Sequence, residues 1–206
     1  MRLVFFISIL EIIVSIHTHA QTFNLGLQMD STTIDWGIAI EEAEGGYHLF
    51  SAWRYPFGPL NTGMYKLNVF GETIWKKSIG FDTLNIFTGY FGGTVKIDGG
   101  YALGTGITTF SDEYFATMVR FDENGDSLFT STIAVPGEEL VGRSIVSTND
   151  GFVMTGFTTE NTAGETQKIL LVKFSLTGEL IWKRKFTASP IHLDGFSLIQ
   201  PRMVVF

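Results

Sequence analysis

The sequence predicts an all-β chain built from repeated four-stranded antiparallel units, and three recurring markers predict it. A Gly-aromatic pair returns at Gly46-Tyr47, Gly100-Tyr101 and Gly151-Phe152. A turn glycine returns at Gly71, Gly125 and Gly178, and an aromatic follows each of them by four residues, at Trp75, Phe129 and Trp182. The first marker steps by 54 and 51 residues and the other two by 54 and 53. Three markers holding one period near 50 residues are the signature of a repeat architecture.

Each unit then reads as four strands in order. The first is the weakest: Ile34 to Glu41, Gly92 to Ile97 and Arg143 to Ser147. The second follows the Gly-aromatic pair and is rich in small residues, with Ser51 and Ala52, Gly104 and Gly106, then Thr155 and Gly156. Small side chains there suit units that converge on a common axis. The third strand is Met64-Tyr65-Lys66-Leu67, Met118-Val119-Arg120-Phe121 and Leu171-Val172-Lys173-Phe174. A basic residue between apolar ones is the period-2 pattern of a strand, and Lys66, Arg120 and Lys173 are expected to point outward with snorkelling stems. The fourth is Thr73 to Lys76, Ser127 to Thr130 and Leu180 to Lys183. Asn124-Gly125 predicts a tight two-residue hairpin turn before it. Four antiparallel strands per period are the pattern of a β-propeller blade. The units fall at about 34–87, 88–140 and 141–193, with the start of a fourth from 194, so the expectation is an incomplete propeller. A β-sandwich is the alternative, and it leaves the regular period unexplained.

The N-terminus carries an export signal. Arg2 gives a positive start, Leu3 to Ile16 is apolar except for Glu11, and Thr18-His19-Ala20 places small residues where a signal peptidase cuts. The run of 14 residues is shorter than the about 20 of a relaxed membrane span. A signal peptide over 1–20 and a mature chain over 21–206 follow, secreted or held at the cell surface, with no membrane span after cleavage. Composition narrows the partners. A net charge of −7 without a basic run argues against nucleic acid. The absence of cysteine excludes disulfides, thiolate zinc sites and a cysteine nucleophile.

These residues resemble those of two related groups. Asp98-Gly99-Gly100-Tyr101, its glycine-rich strand and Val119-Arg120-Phe121-Asp122-Glu123-Asn124-Gly125-Asp126 resemble the repeats of large secreted bacterial β-propeller proteins. In that family the propeller is usually followed by a sorting domain for type IX secretion. Thr177-Gly178-Glu179-Leu180-Ile181-Trp182 is similar to the tryptophan-docking motif of pyrroloquinoline-quinone-type propellers, which implies that the tryptophan packs one blade on the next. The likeness covers roughly residues 38 to 200. It stops short of the quinone enzymes' chemistry, because no acidic metal cluster or paired cysteines match. A fourth Gly-aromatic pair is due near residue 203, where Pro201 to Phe206 stands instead, and no sorting domain follows. The expectation is a piece of a larger protein whose open blade edges favour self-association.

Candidate sites are few. His17 and His19 fall in the signal segment, and His192 stands alone. His48 aligns with Ala102 and Val153, so it reads as a core substitution. Asp122, Asn124 and Asp126 alternate like calcium ligands but lack the glycine and glutamate spacing of such loops, which leaves turn chemistry. Gly100, Gly104 and Gly106 lack the following helix of a phosphate loop. Glu41, Glu42 and Glu44 are the nearest acidic group and are expected in a turn. The segment Trp53-Arg54-Tyr55-Pro56-Phe57-Gly58-Pro59-Leu60 differs from its mostly polar counterparts, so Trp53, Arg54, Tyr55 and Phe57 are the candidate contact residues for a protein or glycan partner. No catalytic, cofactor or metal residue is expected. The leading function is a non-enzymatic interaction or structural module; the alternatives are a glycan-active enzyme on the same scaffold and a nonfunctional remnant.

Overall fold

The computed structural model describes residues 34–54, 60–79, 93–108, 113–160 and 167–187. Among them stand twelve strands and no helix, arranged as three four-stranded antiparallel sheets. The first sheet comprises β1 (Ile34–Ala43), β2 (Gly46–Arg54), β3 (Leu60–Asn68) and β4 (Thr73–Ile79). The second comprises β5 (Gly93–Ile97), β6 (Gly100–Thr108), β7 (Tyr114–Phe121) and β8 (Ser127–Ile133). The third comprises β9 (Glu138–Thr148), β10 (Gly151–Glu160), β11 (Gln167–Ser175) and β12 (Leu180–Phe186). Each strand pairs with its neighbours in chain order, so every sheet is a meander.

The core lies between the sheets. Phe50 and Met64 of the first sheet meet Tyr101, Leu103, Val119 and Phe121 of the second. Ala102, Ala116 and Met118 on the opposite face of that second sheet meet Ile145, Phe152, Met154, Leu170 and Val172 of the third. The second sheet is therefore covered on both faces, which is why β6 is buried along its whole length and reads as continuously apolar or small. Glycines let the backbones close up. A β-carbon at Gly93 would come within 2.8 Å of the Ser144 Cα in β9.

The turns between third and fourth strands repeat one design, and it differs from the expected two-residue turn. In the second sheet Gly125 N–H donates to the Asp122 carbonyl at 3.1 Å, and Asp122 N–H donates to the Asp126 carbonyl at 3.0 Å. The loop thus has three residues, Glu123, Asn124 and Gly125, with Gly125 at φ +78°. This is a type I turn closed by a glycine bulge. The Asp122 Oδ1 accepts the amides of Asn124 and Asp126 at 2.9 and 2.8 Å. Asn68 and Ser175 do the same in the other sheets. A side-chain acceptor placed there favours the longer loop, and it accounts for the alternating acidic residues as turn chemistry.

The repeated basic residues also differ from expectation. Arg120 and Lys173 are buried and Lys66 is half-buried, rather than outward. Each reaches back to the turn before the Gly-aromatic pair of its own sheet. Lys66 Nζ donates to the Glu44 carbonyl at 2.6 Å, Arg120 Nη2 to the Asp98 carbonyl at 3.0 Å, and Lys173 Nζ to the Asp150 carboxylate at 2.6 Å. Their apolar stems are wholly or partly covered while the charged heads satisfy turn oxygens. Glu41 and Glu42 lie in β1, paired with His48 and Tyr47, and only Glu44 lies in the turn. The first strand of the third unit is longer than expected, starting at Glu138 rather than Arg143.

Candidate functional site

The two junctions between sheets share one contact and differ in another. The shared contact is an aromatic on a turn glycine. Trp75 of β4 lies on Gly125, so that a β-carbon there would sit 3.1 Å from its Cη2. Phe129 of β8 lies on Gly178 in the same way, 2.5 Å from such a carbon. Polar contacts flank both: Lys77 Nζ pairs with the Asp126 carboxylate at 2.5 Å, and Ser131 Oγ donates to the Gly178 carbonyl at 2.6 Å.

The difference lies beside that contact. In the second junction Ala102 and Phe152 close the core. Their equivalents in the first junction are His48 and Tyr101, which are 3% and 1% exposed, with Nδ1 and the phenolic oxygen 2.7 Å apart. The rings meet edge to face at 5.2 Å, and the imidazole lies 5.6 Å from the Trp75 ring. Above this pair opens a cleft of about 390 Å³, lined by Glu44, Lys66, Lys96, Trp75, Glu123 and Asn124 around the His48–Tyr101 floor. That volume lies within the range of small-molecule sites.

The charges are arranged unevenly. Lys66 Nζ is fixed on the Glu44 carbonyl, and Lys96 Nζ crosses from β5 to donate to the Glu42 carbonyl at 2.5 Å. Both ammoniums are held by backbone oxygens. Glu44 and Glu123 are exposed at the rim. Burial, then the nearby Lys66 and Lys96, push the His48 pKa down to about 4, so the ring is neutral at physiological pH. Burial, then Glu41 and Glu123, push Tyr101 up to about 12, so its hydroxyl keeps its proton. Glu41 is raised by burial and accepts a 3.4 Å hydrogen bond from Thr94 Oγ1. The floor therefore offers neutral hydrogen-bonding groups under two cations.

The sequence-predicted contact residues do not meet here. Trp53 and Arg54 belong to β2 rather than to a loop: their backbones pair with Asn61 and Leu60, at the opposite end of the strand from His48. Tyr55 and Phe57 lie outside the described residues, as do His17, His19 and His192. His48 is in the core as expected, but with a polar partner. Sequence reasoning passed over Lys96, Trp75 and Tyr101 as a group. The signal that could have found them is the joint departure from the repeat, His for Ala or Val at one position and Tyr for Phe at the facing one. Among the described residues no group of three or more His, Asp or Glu could hold a metal ion, and no helix is long and apolar enough to cross a membrane. In comparisons with known proteins, the chain matches no family model and no curated protein.

Proposed function

We propose that the chain is a non-enzymatic binding module of the β-propeller type, exported through its N-terminal segment, with the cleft between the first two sheets as its ligand-facing feature. The observation that carries the reading is the local break in the repeat. The second junction packs with Ala102 and Phe152, so the fold has no need of a buried His–Tyr pair, and yet His48 and Tyr101 stand at the floor of an open cleft. Buried polar groups that packing does not require point to recognition. Binding is favoured over proton transfer because a histidine near 4 is a weak base and a tyrosine near 12 a weak acid at neutral pH. The propeller reading draws on the aromatic-on-glycine contact made twice between successive sheets, which a two-sheet sandwich would not repeat.

The test uses the full chain. Saturation-transfer NMR against free monosaccharides and small polar metabolites should find binders that stay chemically unchanged. The double variant His48→Ala, Tyr101→Phe, which copies the second junction, should fold and lose them. Turnover of any binder would replace this reading with an enzymatic one, and unaltered binding in the double variant would move the site elsewhere. Expression in a Gram-negative host should yield an exported chain whose mass corresponds to cleavage after Ala20.

A further inference from the structure

We infer that the cleft between the first two sheets takes a monosaccharide-sized organic carboxylate, the anion lying between the Lys66 and Lys96 ammoniums and the His48–Tyr101 floor. The inference rests on the binding-module reading and names the ligand class for it. Both ammoniums come from different sheets, Lys66 from β3 and Lys96 from β5, and converge on one cleft. Each is anchored by a single backbone carbonyl, of Glu44 and Glu42 respectively. An ammonium has three donors, so each keeps donors for a ligand.

Anchoring on carbonyls also leaves both ammoniums out of direct carboxylate contact, although Glu41 lies close enough to Lys96 to feel its charge. Neither lysine is ion-paired with a carboxylate among the described residues, although Glu44 and Glu123 line the same cleft from its exposed rim. Burial first, and then the charges of Lys66 and Lys96, lower the basicity of His48, so both ammoniums act on the floor of the cleft. An anionic oxygen would take charge-assisted hydrogen bonds from two anchored cations, Lys66 half-buried and Lys96 exposed, and such bonds are about twice as strong as neutral ones. The rim carboxylates set the other end of the preference. They repel extended polyanions and suit a ligand whose single negative charge sits deep and whose outer part is neutral and hydroxylated. Trp75, half-buried on one wall, gives that outer part an apolar surface.

The experiment compares glucuronate with glucose, a matched pair differing in the carboxylate, by titration calorimetry and ligand-observed NMR on the full chain at low and moderate ionic strength. Glucuronate should bind at least tenfold more tightly than glucose and weaken as salt rises. The variant Lys66→Gln, Lys96→Gln removes both charges while keeping a polar N–H side chain at each position, should fold as judged by circular dichroism, and should erase the preference. His48→Ala, Tyr101→Phe should weaken both sugars. Equal binding of the two, or a preference unchanged in the double glutamine variant, would overturn the carboxylate assignment while leaving the binding module standing. If neither probe binds nor shifts the melting temperature, and the wider metabolite screen is also empty, both readings fall. Should the glutamine variant misfold, the salt dependence of the wild-type preference decides in its place: a preference that salt leaves unchanged counts against the assignment.

Discussion

His48 and Tyr101 are two residues whose cost and use can be separated by experiment. Each fills a position that an apolar residue fills in the next junction, so their polar atoms depend on one another at 2.7 Å. Removing one partner leaves the other buried without it. His48→Ala alone should cost about 1–3 kcal/mol, and adding Tyr101→Phe should recover part of that loss, which a double-mutant cycle in urea would measure. The pair also makes stability depend on pH. The folded-state pKa of His48, about 4, lies below its ordinary 6.5, so the unfolded chain binds the proton more readily. Stability from this group is fully present above pH 6.5 and is lost as pH falls towards 4. The charged groups around the pair belong to both sheets, Lys66 and Lys96 acting on His48, Glu41 and Glu123 acting on Tyr101, and Glu44 at the cleft rim, and the lysines add to the effect. The acid-side fall in urea midpoint should shrink in the His48→Ala variant. An identical pH profile in both proteins would mean that His48 is not the group responsible.

At the scale of the element, the turn glycines do two jobs that substitution can divide. Gly45 and Gly125 both have left-handed φ, +69° and +78°, where a side chain is strained. A β-carbon at Gly45 would meet nothing within 4 Å, whereas one at Gly125 would press on Trp75 and Met64. Gly45→Ala should therefore cost only the backbone strain, about 1–2 kcal/mol. Gly125→Ala should cost more, because Trp75 must shift as well, and its indole fluorescence should change in the native state. Equal losses with an unchanged spectrum would show that the aromatic contact adds nothing to the turn. The same division explains why the turn has three residues. Asp122 supplies an acceptor for two amides, and its carboxyl, raised by burial, is pulled below the usual range by the amides of Asp126 and Asn124 and by Lys77.

Across the whole molecule, the sheets stabilise one another as neighbours in a row. The second sheet has packed faces on both sides, with Phe121 in one cluster and Met118 in the other, both fully buried. β12 lies at the outer edge of the third sheet and exposes Leu180, Ile181 and Phe186. In such an arrangement stability is a sum of unit and interface terms, and opening starts where interfaces are fewest. Native-state hydrogen exchange should find the amides of β6 and β7 the most protected and those of β12 exchanging through local opening. Uniform protection across all three sheets would instead indicate a single cooperative unit. Phe121→Ala should cost about 3–5 kcal/mol and lower protection in both the first and second sheets.

The sequence by itself determined the all-β class, the position of most strands and the places of the turns. Those features rest on local physics: alternation along a strand, glycine where φ is positive, and an aromatic at a fixed offset from each turn glycine. A period near 50 residues adds the knowledge that each unit must meet the next, because one amphipathic sheet cannot bury its own faces. Which residues meet across a junction was decided only in three dimensions. Lys66, Arg120 and Lys173 look like outward residues along the strand, but the folded chain covers them wholly or in part, and they turn back to satisfy turn oxygens. His48 and Tyr101 stand 53 positions apart and become partners only because successive sheets stack with matching registers. The cleft above them is the gap left when two sheets are joined at one end by Trp75 and held at the other by Lys96. Its shape depends on distances between units, which strand periodicity does not encode.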